Sequence, residues 1–562
     1  MANILTKGLM TTALISSTLM AYTNHAAEKP ELFNHLPQDT LLVLHADNVQ
    51  KEVEFYSKSQ LYKELSEIEY IKIFEQLQKS GAGVKIDAKA YNEILSPKNI
   101  DLLMSLLDSS VSFALMKPDL EKIDISTSDL SEIIIKQLVK DSILQLKPTN
   151  TNAVNDLIKE IAALDQKIYS QTESNGYIVN RFKMDDEFSF YILEKSGVFT
   201  LTMNLEGTIN LLSAPLNQNM NNLASVAPLY SSAHDSIGYI NMNELYKMAT
   251  DLDDSGEIKR TLGSISFIDS YLAYSDVNLK EQSETETYIT TLKKEIPNYI
   301  KTLVKNNGIK SKMSRFFPSD TALFYNFTGL TLSDIVSYIA KQNGIPMKDL
   351  LDSSPEVGTV YNKLNLALGQ DYAVNVSGVK SGMIPIPLVT IAVQVKSEKI
   401  IKDMIEEELN GLLKEQTITK LTKIENGTEI TTLVSPVPGL TPAYMFHKGY
   451  LFISTDPTEL IKIINVTPSN NLQGSTDFRK VTANKKALYQ TTYINGEKLF
   501  GTLESVLSGL TPLIAKTPSD QIVYTKLIIP ILKALKNIKT IGSISEATSE
   551  QEMKSVNKVY IK

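Results

Sequence analysis

Cysteine and tryptophan are both missing from this 562-residue chain, and histidine occurs only five times. Without cysteine there is no disulfide framework, no thiolate nucleophile, no thiolate metal site and no lipoprotein acylation site. An exported form would therefore be released rather than lipid-anchored. Without tryptophan, sugar stacking would fall to the 25 tyrosines, and tyrosines scattered along strands serve mainly as packing residues. No HExxH, GxSxG or GxxxxGK[ST] pattern occurs, which removes the most direct metalloprotease, hydrolase and nucleotide-binding readings. Excess positive charge is also lacking: the formal net charge is -8 and the sequence pI about 5.5. A nucleic-acid partner is not expected.

What is present begins with a leader. Lys7 is the only charge before Glu28, and the apolar, hydroxyl-rich run Gly8 to Tyr22 is followed by Asn24-His25-Ala26-Ala27. Residues 1–27 read as a secretory signal peptide cut near Ala26 or Ala27. The run is shorter than the roughly 20 residues of a spanning helix, and no later segment supplies a transmembrane candidate. The expected location is outside the cytoplasm, in a periplasm or beyond the cell.

The mature chain is organised around Leu36-Pro37-Gln38-Asp39-Thr40 and the apolar strand after it, which returns as Phe317-Pro318-Ser319-Asp320-Thr321. Proline fixes the turn, the Asp and Thr side chains can bond nearby backbone amides, and β-forming residues follow. Further matches stay collinear. Asp108-Ser109-Ser110-Val111 pairs with Gln370-Asp371-Tyr372-Ala373, and the helix at 153–161 with that at 400–409. Asn175-Gly176 pairs with Asn426-Gly427, and Tyr191 through Gly197 with Tyr444 through Gly449, one residue shorter. Tyr239-Ile240-Asn241 pairs with Tyr493-Ile494-Asn495, and Gly263-Ser264-Ile265-Ser266 with Gly542-Ser543-Ile544-Ser545.

The organisation read from this is a signal peptide (1–27), a first α+β repeat (31–292), a helical connector (293–315) and a second α+β repeat (316–562). Each tandem homologous repeat is expected to be a mainly antiparallel sheet with helices on one face. Val49 to Ser80 carries apolar residues at helical spacing and predicts two helices or one kinked helix over that sheet.

The Leu-Pro-x-Asp-Thr opening after a signal peptide, with the strand–glycine turn–strand–helix run of Tyr444 to Ile464, resembles an exported bacterial protein family of unknown function. That resemblance implies export and an α+β repeat, and brings no catalytic residues.

Candidate chemistry is sparse. His45 and Asp47, two apart, share one strand face, as a metal pair or acid–base pair would, or form an edge-exposed polar pair. His234 and Asp235 lie near Ser231, Ser232 and Ser236, but a triad needs convergence that adjacency does not supply. His447 faces a turn, with Glu194 in its place in the first half. Asp251-Leu252-Asp253-Asp254-Ser255-Gly256-Glu257-Ile258 matches a calcium-loop register, with Asp251, Asp253, Ser255 and Glu257 as the oxygen donors. Leu262 stands where that loop needs a bidentate Glu, and Lys259 and Arg260 add adverse charge. Acidic clusters at 185–187 and 406–408 read as solvated faces.

The sequence thus points to a non-enzymatic exported binding or scaffold protein of the bacterial cell envelope, its partner an envelope component or another protein. The alternative is a periplasmic carrier of a lipid or other apolar ligand, suggested by Ile384-Pro385-Ile386-Pro387-Leu388-Val389 and Leu527-Ile528-Ile529-Pro530-Ile531-Leu532. A hydrolase with a dispersed site stands third.

Overall fold

The computed structural model describes residues 31–47, 50–80, 109–118, 137, 140–164, 169–183, 189–213, 215–226, 234–251, 256, 259, 262–306, 311–342, 346–352, 355–380, 382, 385–414, 418–434, 439–482 and 488–562. The chain forms two compact units. Unit 1 takes the residues up to Phe55, then Asp87–Leu279 and Glu284–Lys293; unit 2 takes Tyr56–Ile86, Lys280–Ser283 and Lys294–Lys562. The proposed leader lies outside the described residues.

Unit 1 is built on β1 (Leu42–Ala46), β2 (Ser109–Leu115), β3 (Ser142–Pro148), β4 (Tyr169–Ser174), β5 (Tyr177–Lys183), β6 (Ser189–Lys195), β7 (Val198–Thr202), β8 (Ser236–Asn241), β9 (Ile268–Asn278) and β10 (Ser283–Leu292). Their spatial order is β4-β5-β6-β7-β3-β2-β1-β8-β9-β10 in an antiparallel sheet.

Unit 2 uses β11 (Leu323–Thr328), β12 (Leu368–Lys380), β13 (Ile386–Val395), β14 (Thr419–Glu425), β15 (Thr428–Val434), β16 (Ala443–His447), β17 (Tyr450–Ser454), β18 (Gln490–Asn495), β19 (Ile538–Ser549) and β20 (Glu552–Ile561). The order is β14-β15-β16-β17-β13-β12-β11-β18-β19-β20, again antiparallel. Strand for strand, the two orders coincide.

Local chemistry explains the matching turns. Asn175 and Gly176 have φ of 51° and 77°, and Asn426 and Gly427 have 45° and 76°. Two successive positive φ angles make the tight hairpin turn whose twist suits the flanking strands, and Asn-Gly is the pair that adopts it at least cost. At each strand opening the threonine hydroxyl donates to the proline carbonyl, Thr40 to Pro37 at 2.7 Å and Thr321 to Pro318 at 2.8 Å. The expectation that these hydroxyls serve backbone amides is thereby corrected. Each proline also bridges an asparagine, Pro37 to Asn219 and Pro318 to Asn471. Asn241 and Asn495 then accept from the amides of Glu244 (3.0 Å) and Lys498 (3.1 Å), capping the helix that follows each strand.

Helices cover both faces of each sheet, not one. In unit 1, α4 (Thr151–Leu164) packs Val154 and Ile158 against Phe182 and Phe199, while α5 (Leu205–Leu212) packs Ile209 against Val179 and Leu193 on the opposite face. In unit 2, α8 (Glu398–Lys414) sets Ile401 on Leu451, and α9 (Pro457–Ile464) sets Leu460 and Ile463 against the cluster holding Phe452. The reason lies in the strands: Tyr450-Leu451-Phe452 is apolar without alternation and buried throughout, so both faces need a cover. Residues 50–79 likewise form three helices, α1 (Gln50–Ser57), α2 (Gln60–Ser66) and α3 (Tyr70–Lys79), because Ser59 accepts from Tyr62 N and starts a new helix. Within the connector, α7 (Asn298–Lys305) and a 3-10 turn at Met313–Arg315 are described. No helix among the described residues is long and apolar enough to cross a membrane.

The hydrogen-bond ladders also correct three sequence pairings. Since Leu42 faces Leu115 and Leu323 faces Val376, Ser110 and not Ser109 occupies the place of Asp371. Tyr191 corresponds to Ala443 and Lys195 to His447, with no residue lost, so Glu194 does not stand in for the histidine. Gly263 lies in a 3-10 turn whereas Gly542 is in β19, opposite Tyr493; the residue opposite Tyr239 is Leu272.

Candidate functional site

His45 and Asp47 do meet, but at an interior strand of unit 1. β1 lies between β2 and β8, so the edge-strand expectation is wrong. The His45 side chain is 7% exposed; its Nδ1 lies 2.7 Å from Ser112 Oγ and its Nε2 2.9 Å from Asp47 Oδ1. Phe33 sets its ring edge-on to the imidazole at 6.4 Å. Cross-strand register brings Ser112 to His45, Gln145 to Ser112 and Thr200 to Gln145, giving a polar row across four strands on one face.

A serine–histidine–aspartate chain is the arrangement of a nucleophilic hydrolase, but here its polarity in space is reversed. Catalysis needs an open serine and a buried carboxylate. Ser112 is buried, while Asp47 is 42% exposed at the far end. The chain therefore satisfies a buried imidazole instead of presenting a nucleophile. We expect His45→Ala to lower unfolding free energy by about 2–3 kcal/mol, through lost packing and an unpartnered Ser112 hydroxyl. Urea unfolding checks this; an unchanged midpoint would remove the structural role.

The equivalent position in unit 2 is Asn326, and there the polar centre is Asp371 on β12. Asp371 is 4% exposed. Its carboxylate accepts from Asn326 Nδ2 (2.9 Å), Ser311 Oγ (3.0 Å), Lys312 N (3.4 Å) and Tyr450 Oη (3.3 Å). Burial pushes the carboxyl above its ordinary range, against the opposing pull of those four donors. Burial and the adjacent Asp371 charge likewise push the Tyr450 phenol up. Sequence reasoning placed Asp371 within a matched tetrapeptide but had no signal for its burial, because its donors come from three separate segments.

The remaining candidates are dispersed. His234 stacks on Tyr274 at 3.9 Å with Nδ1 3.2 Å from Asp276, while its neighbour Asp235 turns to Lys51 (2.9 Å) and to Val277 N (2.7 Å). Adjacent in sequence, the two side chains serve different partners. His447 Nδ1 lies 3.1 Å from Thr428 Oγ1, and burial, with the Lys448 charge, lowers its basicity.

Of the calcium-loop set, Asp251 ends α6 (Met242–Asp251), and Asp253, Ser255 and Glu257 lie outside the described residues. No group of three or more metal-ligating side chains gathers among the described residues. Residues 185–187 also lie outside them, whereas Glu406 and Glu407 form ion pairs with Lys420 and Lys363 on an exposed helix face. No protein-family model, curated protein or solved structure matches the chain.

Proposed function

We propose that the protein is an exported, non-enzymatic binding scaffold of the bacterial cell envelope, formed by duplication of one ten-strand α+β unit and belonging to the exported family that its strand opening resembles. The observation that carries this reading is the coincidence of two ten-strand orders together with the same proline–asparagine bridge, threonine bond and asparagine cap in each unit. A shared fold reached independently would not be expected to repeat such side-chain details. The closed His45 chain and the saturated Asp371 centre support a structural role for the polar residues where an enzyme would keep one end open.

A carrier of an apolar ligand is the second reading, favoured by one feature of unit 2. Ile391 and Ile453 face each other across the interior strands β13 and β17 yet are 45% and 43% exposed. Native mass spectrometry of the protein isolated from its own exported fraction tests both readings. The expected result is a polypeptide mass shortened at Ala26 or Ala27, without an adduct. A reproducible lipid-sized addition would put the carrier first, and an unprocessed chain confined to the cytoplasm would defeat export.

A further inference from the structure

Residues 293–315 contain seven Lys and Arg against one Glu, a net of +6 in a chain of net -8, leaving -14 on the rest. Such a reversal of sign within one short segment is a local electrostatic feature that the overall charge conceals. The fold concentrates part of it. Lys301 and Lys305, one turn apart on α7, and Lys294 ahead of it line a surface depression of about 870 Å³ in unit 2, closed on its other side by the β19–β20 turn with Ser549 and Gln551. Glu550 is the one acidic lining residue, so the lining carries +2. All three lysines are exposed, and none forms an ion pair among the described residues. By contrast the adjoining Lys293 is engaged, lying over the Tyr246 ring at 5.6 Å.

The depression has the volume of a small-ligand site. Its helix cannot enter a bilayer with its apolar side, because Ile300 and Leu303 are already buried at 5% exposure. Ile296 and Val304 also line it; beside them the three lysines offer charge and hydrogen-bond donors, and a doubly charged anion matches the lining charge. We propose that this depression binds a phosphate group, carried by a soluble molecule or by a lipid headgroup. This stands independently of the duplication and of the export reading.

The test uses the full chain and a Lys294→Gln, Lys301→Gln, Lys305→Gln triple variant, with inorganic pyrophosphate in calorimetry and phosphatidylglycerol–phosphatidylcholine vesicles in flotation. The expected result is binding to at least one probe that weakens at least about tenfold in the variant, with thermal unfolding unchanged. Pyrophosphate binding alone assigns a soluble ligand, and vesicle binding alone a headgroup. Binding to neither probe, or binding that the variant retains, overturns the site.

Discussion

Phe452→Ala is expected to destabilise the protein by about 3–5 kcal/mol, the largest effect of any single truncation considered. Phe452 is fully buried in the core of unit 2. Its ring meets those of Phe316 at 5.5 Å, Phe317 at 6.2 Å and Tyr450 at 6.3 Å. Its ladder neighbours on the same face are Ala392 and Met445, and Ala373 follows on β12. The two neighbouring alanines lack the bulk to occupy the space the ring would vacate, and strands held in an interior ladder cannot close over the cavity. Chemical denaturation of the variant gives the measurement. A loss below about 1 kcal/mol would mean that the site collapses freely.

The same row in unit 1 is filled otherwise. Thr200 occupies the place of Phe452, and Gln145, Ser112 and His45 replace the alanines and Asn326. In that row His45 hydrogen-bonds Ser112, and Phe33 meets the imidazole edge-on.

Removing the Asp371 carboxylate should also be strongly damaging, through lost hydrogen bonds instead of lost packing. Asp371→Ala strands the donors of Asn326, Ser311 and Tyr450 in the interior, at a cost of roughly 2–3 kcal/mol. Asp371→Asn keeps the volume and part of the hydrogen bonding, so its cost should be smaller, and it isolates the charge. The folded-state pKa of Asp371 lies above the unfolded value, because burial disfavours the ionised form. Its contribution to stability is therefore fully present below the unfolded pKa of about 3.9 and is lost as pH rises through the folded value. The stability of the native protein relative to Asp371→Asn should accordingly decline from acid toward neutral pH. Paired urea titrations across that range measure the difference, and a flat or rising difference would contradict the assigned direction.

How much of the site was legible follows from where its parts lie. The His45–Asp47 contact was readable because residues two apart in extended chain share a face, although Asp47 stands one residue past β1. Ser112, its other partner, is 67 residues away and reaches it only through the β1–β2 register. Asp371 depends on Ser311, Asn326 and Tyr450, brought in by three different connections. No local pattern announces such a meeting.

By itself the sequence determined the features that short stretches of chain control. Asn-Gly pairs set the positive-φ hairpins, Pro-x-Asp-Thr set the strand openings, and Asn241 and Asn495 set the helix starts; each acts over a few residues through backbone sterics and near hydrogen bonds. The tertiary structure alone decided which strands neighbour one another, that both sheet faces are covered, and that a one-residue shift puts Ser110 where Asp371 stands. These depend on lateral pairing between distant segments, where a slip of one residue turns every side chain to the other face and only the packed core selects the register.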